Sequence, residues 1–179
     1  MPDLSGKAVA ILATHGFEPS ELLEPRQILS KAGAKVDVIG PQKGEIRGWD
    51  HTEWGQSVAV DVTLKEARTD AYDALVLPGG EINPDTLRAD DEAVSFVKGF
   101  VKAGKPVGAI CHAPWLLIEA GVMAGRRATS HPSIKTDMKN AGCDWVDEAV
   151  VVDGNLVTSR GPDDIPAFMG KLVELISAG

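Results

Sequence analysis

Short apolar runs recur along this chain, each followed by a turn signal and then by a stretch of helical periodicity. Residues 7–14, 34–40, 74–77 and 107–110 carry the runs, and residues 20–33, 91–103, 115–120 and 163–177 carry the helical segments. A short apolar run bounded by glycine or proline suits a strand buried on both faces. Strands that alternate with helices connect by right-handed crossovers, which restricts the fold to a mostly parallel sheet covered on both sides. The predicted class is a doubly wound α/β fold. A length of 179 residues suits one domain, 1–179, with a sizeable core.

The remaining elements are predicted from finer signals. Residues 44–55, with Trp49 and Trp54, read as a loop or hairpin over the site or an interface, followed by an alternating strand at 57–60. Asp153-Gly154 marks a two-residue hairpin turn within 150–158. A short strand at 128–130 and a helix at 134–141 complete the pattern, and Asp163 and Asp164 favour the start of the closing helix.

Composition narrows the partners. With 26 acidic against 18 basic residues the net charge is −8, which argues against nucleic acid or an anionic membrane as the main partner. No apolar run approaches the roughly 20 residues of a membrane span. Two cysteines, Cys111 and Cys143, cannot build a disulfide framework, and the first residues lack a signal-peptide pattern, so a cytoplasmic protein is expected. His15, His51 and His131 show no ligand spacing, and no metal is expected. His131 could line the pocket, but solvent or core is its expected home.

In a doubly wound sheet the site lies outside the carboxyl ends of the strands. That rule gathers three segments distant in sequence: 15–21, 78–85 and 111–113. Ala109-Ile110-Cys111-His112-Ala113 places a thiol between an apolar strand and a short helix, with small residues two positions away on each side. This is the cysteine counterpart of the nucleophile elbow. A helix N-terminus beside it lowers a thiol pKa, so a reactive thiolate is expected. His112 could orient or deprotonate the thiol, and Glu18, at the mouth of the first strand, could share a proton with it. Gly79 and Gly80 could bring backbone N–H groups to a substrate oxygen and form an oxyanion hole with the His112 amide. A buried structural cysteine and an ordinary tight turn are the plainer alternatives.

Taken in order, Gly16-Phe17-Glu18, Glu21-Leu22, the 74–80 strand and Pro-Gly-Gly turn, Gly104-Lys105-Pro106-Val107, Ala109-Ile110-Cys111-His112, Asp144-Trp145-Val146-Asp147 and 151–160 resemble the PfpI-type branch of the class I glutamine amidotransferase-like superfamily. The resemblance covers nearly the whole chain. It implies a flavodoxin-like sandwich, a homodimer or higher homo-oligomer, Cys111 as the reactive elbow cysteine, Glu18 as its hydrogen-bonding acid, and no cofactor. It also implies a Cys-His-acid triad completed across subunits, with Asp85 at the position of the acid. The implied chemistry is glutathione-independent conversion of methylglyoxal or glyoxal, or removal of the early adducts they form, with a small dicarbonyl or glycated molecule as substrate. An intracellular peptidase is the second reading, and a redox sensor or chaperone without turnover is a third. Glutamine amidotransfer is disfavoured, because the only His-x-Glu pair, His51-Thr52-Glu53, precedes the cysteine.

Overall fold

The computed structural model describes residues 1–179. In chain order the elements are β1 (Ala8–Leu12), α1 (Pro19–Lys31), β2 (Lys35–Gly40), β3 (Glu45–Asp50), β4 (Glu53–Ala59), β5 (Val62–Thr63), β6 (Ala74–Leu77), α2 (Ile82–Arg88) and α3 (Asp91–Lys102). They continue with β7 (Val107–Ile110), α4 (Pro114–Glu119), β8 (Arg127–Ala128), α5 (Lys135–Asn140), β9 (Asp144–Trp145), β10 (Val150–Asp153), β11 (Leu156–Ser159) and α6 (Ile165–Ala178).

Seven strands form the central sheet in the order β10-β11-β7-β6-β1-β2-β5. All neighbours are parallel except the hairpin pair β10 and β11. Side chains along a strand point alternately to opposite faces, and here both faces are apolar. Leu75 and Leu77 join one buried cluster with Phe96 and Phe100 of α3 and Leu116 and Leu117 of α4. Ala74 and Val76 join the other, with Leu22 and Leu29 of α1 and Phe168 and Leu172 of α6. The sheet is thus covered on both sides, as the unbroken apolar runs predict. Gly108 permits unusually close packing on the second face. A Cβ there would lie 2.7 Å from Phe168 Cζ and 2.8 Å from Leu172 Cδ2.

Two local readings change. Residues 44–60 form a single antiparallel hairpin, β3 and β4, in which Trp49 and Trp54 face each other across the strands with ring centroids 5.2 Å apart. It docks beside the loop after β1, where Gly16 N–H donates to Arg47 O (2.8 Å) and Trp49 N–H donates to Phe17 O (2.9 Å). Residues 82–88 form the helix α2, where the sequence reading predicts no helix within the 78–85 segment. Pro84 falls in the first turn, where a missing N–H costs nothing. The Asn83 side chain is fully buried. It accepts from Thr14 N–H at 2.8 Å and donates to Pro78 O and Gly79 O at 3.0 and 3.1 Å. That one amide ties the loops after β1 and β6 together.

Candidate active site

The register of the parallel strands sets the site. Leu77 of β6 pairs with Ala109 of β7, and Ile110 pairs with Ser159 of β11, so the turns after β6 and β7 leave the sheet at the same level. Cys111 follows at φ 65°, a left-handed conformation costly for a residue with a side chain. It is held from both sides: Cys111 N–H donates to Ser159 O (3.0 Å) and Cys111 O accepts from His131 N–H (2.8 Å). The expected elbow is present, and the cysteine is 6% exposed.

The turn after β6 is glycine by necessity. A Cβ on Gly79 would lie 2.5 Å from Glu21 Oε2, 2.6 Å from Cys111 Cβ and 2.7 Å from Ile110 O. Gly80 has φ 81°, and a Cβ there would meet Gly16 O at 2.5 Å. The two glycines divide their work. Gly79 N–H donates to Glu21 Oε2 at 2.7 Å and is therefore not free for a substrate, whereas the amides of Gly80 and His112 face the Cys111 sulfur. The oxyanion expectation therefore narrows to Gly80 and His112.

The acid beside the thiol is Glu21, where the sequence reading has Glu18. Glu18 caps α1: its Oε2 accepts from Glu21 N–H at 2.9 Å and from the Ser20 hydroxyl. Three residues on, the Glu21 side chain turns inward, is fully buried and interacts with Cys111. Its Oε1 has no hydrogen-bond partner in the protein, which leaves that oxygen for a proton. Burial, reinforced by the Glu18 charge, raises the Glu21 pKa to about 8, so the carboxyl is neutral at pH 7.

The same burial overturns the expected low thiol pKa. Desolvation, with the neighbouring Glu21, pushes the Cys111 thiol above its usual range, and the Gly80 and His112 amides only partly oppose it. The helix that follows is a mere six residues long, and its dipole is correspondingly small. His112 is 5% exposed, with Nδ1 3.1 Å from Cys111 Sγ. Burial first, then His131, lowers its pKa to about 4 against the opposing effect of Glu81. At neutral pH the resting site therefore holds a thiol, a carboxylic acid and an uncharged imidazole.

Asp85 stands apart within the chain. It lies on α2, pairs with Arg88 at 2.6 Å, and its side chain is 59% exposed. The carboxylate that approaches His112 in the same chain is Glu81, with Oε1 3.6 Å from Nε2. Ser133, which the sequence reading passes over, and His131, expected in solvent or core, both reach the site. His131 stacks on His112 with ring centroids 4.5 Å apart, and Ser133 Oγ lies 3.0 Å from His112 Nε2. His131 also walls an open cleft of about 410 Å³ with Asp147, Arg160 and Asp164. No group of three or more His, Cys, Asp or Glu side chains is gathered as a metal centre needs. No helix is long and apolar enough to cross a membrane.

The chain is similar to known proteins over nearly its whole length. The chain is 47% identical over 168 residues to a deglycase of Pyrococcus abyssi, covering 94% of this chain and 98% of that one. It is 45% identical over 174 residues to protein/nucleic acid deglycase 2 of Escherichia coli, covering 96% and 99%. The crystal structure of Drosophila melanogaster DJ-1beta superposes with a TM-score of 0.86 at 31% identity, over 97% of this chain and 91% of that one. Residues 7–175 match the DJ-1/PfpI family, and the chain belongs to that family.

Proposed function

We propose that the protein is a glutathione-independent cysteine enzyme that acts on reactive dicarbonyls and on the early adducts they form with amines. The observation that carries this reading is the fully buried Glu21 carboxyl, one oxygen unpartnered, against a strained elbow thiol. Moving a proton between two adjacent carbons needs a group that both gives and takes a proton near neutral pH, and a carboxyl with a pKa of about 8 meets that need.

With methylglyoxal the steps balance as follows. Cys111 Sγ attacks the aldehyde carbon, its proton passes to His112 Nδ1, and Glu21 protonates the carbonyl oxygen to give a hemithioacetal. Glu21, now a carboxylate, removes the hydrogen from that carbon as His112 protonates the neighbouring carbonyl oxygen, which forms an enediol. Glu21 returns the proton to the second carbon, and the first hydroxyl gives its proton to His112, leaving a thioester. Water then adds, losing a proton to Glu21, and the sulfur leaves with the proton from His112. The product is lactic acid, and all three groups regain their starting states. On a hemiaminal adduct the sulfur would displace the amine at the same carbon, the C–N bond breaking as the C–S bond forms and the amine leaving with the proton that the thiol gave to His112, which yields the same hemithioacetal and accords with the names of the deglycase relatives.

Peptide hydrolysis is the second reading, favoured by the 3.1 Å contact between Cys111 and His112, which also suits acyl transfer. In it the protein works as a homo-oligomer, and Asp85 of one subunit completes the triad of the next. A steady-state assay with methylglyoxal and, in parallel, a peptide distinguishes the two. Many turnovers to lactate without glutathione, lost in Cys111→Ala, are expected. Cys111-dependent peptide cleavage without dicarbonyl turnover, lowered by Asp85→Ala in a protein that sediments as a dimer or larger, would install the peptidase instead.

A further inference from the structure

An imidazole can accept the Cys111 proton only if the nitrogen facing the sulfur is bare, so the tautomer of His112 decides whether the site works. The hydrogen bonds around Ser133 settle that tautomer. Ser133 lies in the turn Pro132–Ile134 that precedes α5. Its backbone N–H donates to His131 Nδ1 at 3.2 Å, and because a backbone N–H can only donate, that nitrogen carries a lone pair. Ser133 Oγ lies 2.8 Å from the same nitrogen, which directs the single hydroxyl proton there. What Oγ presents to His112 Nε2, 3.0 Å away, is then a lone pair, and Nε2 must hold the proton. A neutral imidazole has only one, so Nδ1 is bare, 3.1 Å from Cys111 Sγ.

We propose that Ser133 is a positioning residue that fixes His112 in the one tautomer able to take the Cys111 proton. The polarity of the chain runs from the thiol through His112 and Ser133 to His131, and the Ser133 backbone sets it. Glu81, at 3.6 Å from Nε2 and mostly exposed, favours a proton on the same nitrogen but lies beyond hydrogen-bond distance, so it reinforces the tautomer rather than setting it. The stacked face of His131 and the edge of Trp115, whose centroid is 5.1 Å from that of His112, keep the ring from turning over.

The inference rests on the reading of Cys111 as the nucleophile, and two readouts separate its failure from the failure of that reading. Nitrogen-15 spectra of the histidine rings report the tautomer without any substrate. The wild type should show His112 protonated at Nε2, and Ser133→Ala should shift it towards a mixture. Alkylation of Cys111 by iodoacetamide at neutral pH should slow about three- to tenfold in Ser133→Ala, the share of one hydrogen bond. Ser133→Thr, which keeps the hydroxyl, should restore the rate, and Glu81→Gln should leave it within about twofold of the wild type. Ser133 is exposed, so the alanine variant should unfold at the wild-type temperature. A wild-type His112 protonated at Nδ1, or an alanine variant with unchanged spectrum and unchanged alkylation, overturns the proposal. Absence of methylglyoxal turnover with the Nε2 tautomer and the Ser133 effect intact overturns the proposed function and leaves this inference standing.

Discussion

Replacing Glu21 by glutamine should make the protein more stable and nearly inactive, and the stability gain should depend on pH. Glutamine has the shape of the neutral carboxyl, can still accept from Gly79 N–H through its carbonyl oxygen, and never ionises. In the wild type the buried carboxyl keeps its proton up to about pH 8, whereas the unfolded chain loses it near the ordinary value of 4.5. Between those two values the native state binds more protons than the unfolded state, so stability falls as pH rises and levels off above about 8. At about 1.4 kcal/mol for each unit of difference, the cost is on the order of a few kcal/mol at high pH and vanishes below 4.5. Other titrating groups cancel when wild type and variant are compared at the same pH. Calorimetry at pH 5 and pH 9 should therefore show nearly equal melting temperatures at the lower pH. At the higher pH the variant should melt several degrees above the wild type, at roughly 2–4 °C per kcal/mol for a chain of this size. Methylglyoxal turnover should drop by about 10²- to 10⁴-fold, the usual contribution of a general acid-base group. A melting difference that is the same at both pH values would show that Glu21 does not hold a proton in the native state.

Two further outcomes test the surroundings. A brief pulse of iodoacetamide at neutral pH, mapped by mass spectrometry, should label Cys111 before Cys143: both are buried, but only Cys111 has an imidazole nitrogen 3.1 Å from its sulfur. Gly108→Ala should destabilise by about 1–3 kcal/mol in denaturant titration, because the new methyl must displace Phe168 and Leu172 from a packed face.

The parts of this molecule that were legible in the sequence are those fixed by short-range pattern. Unbroken apolar runs betray strands buried on both faces, and such strands can only be parallel and covered by helices. Cys111, His112 and the Gly79-Gly80 turn sit directly at strand ends, where topology alone delivers them to one place. The helix α2 was hidden because the propensity of Asn83-Pro84 points to a turn, while the structure is decided by Asn83 bonding two distant loops. Ser133 was hidden, and His131 was placed in solvent or core, for a similar reason, since their contact with His112 depends on how the segment between β8 and α5 folds back over the elbow. Glu18 was expected in the place that Glu21 takes because both stand at a helix start. The spacing Glu18-x-x-Glu21 is that of an N-cap and the third helical residue, and this was the available signal. It makes the first glutamate the cap and leaves the second to turn either outward to the cap or inward to the sheet. Glu21 turns inward because Gly79 offers an N–H at 2.7 Å.

The inverted thiol pKa has the widest consequence. Rules built on helix dipoles and polar neighbours predict a standing thiolate, but they assume water nearby to support the charge. Here the sulfur, the Glu21 carboxyl and the His112 ring are all nearly closed off, and no cation is present to offset a lone negative charge. The least costly resting state is neutral throughout, and charge is made only when a substrate carbonyl arrives to take it up. Oxidation follows thiolate character and exposure, so a buried, protonated Cys111 reacts slowly with peroxide at rest. A sensor needs the opposite arrangement. The geometry that weakens the sensor reading is the one that turnover requires: a proton on the sulfur with His112 Nδ1 beside it, and a second proton on Glu21 with nowhere to go but the substrate.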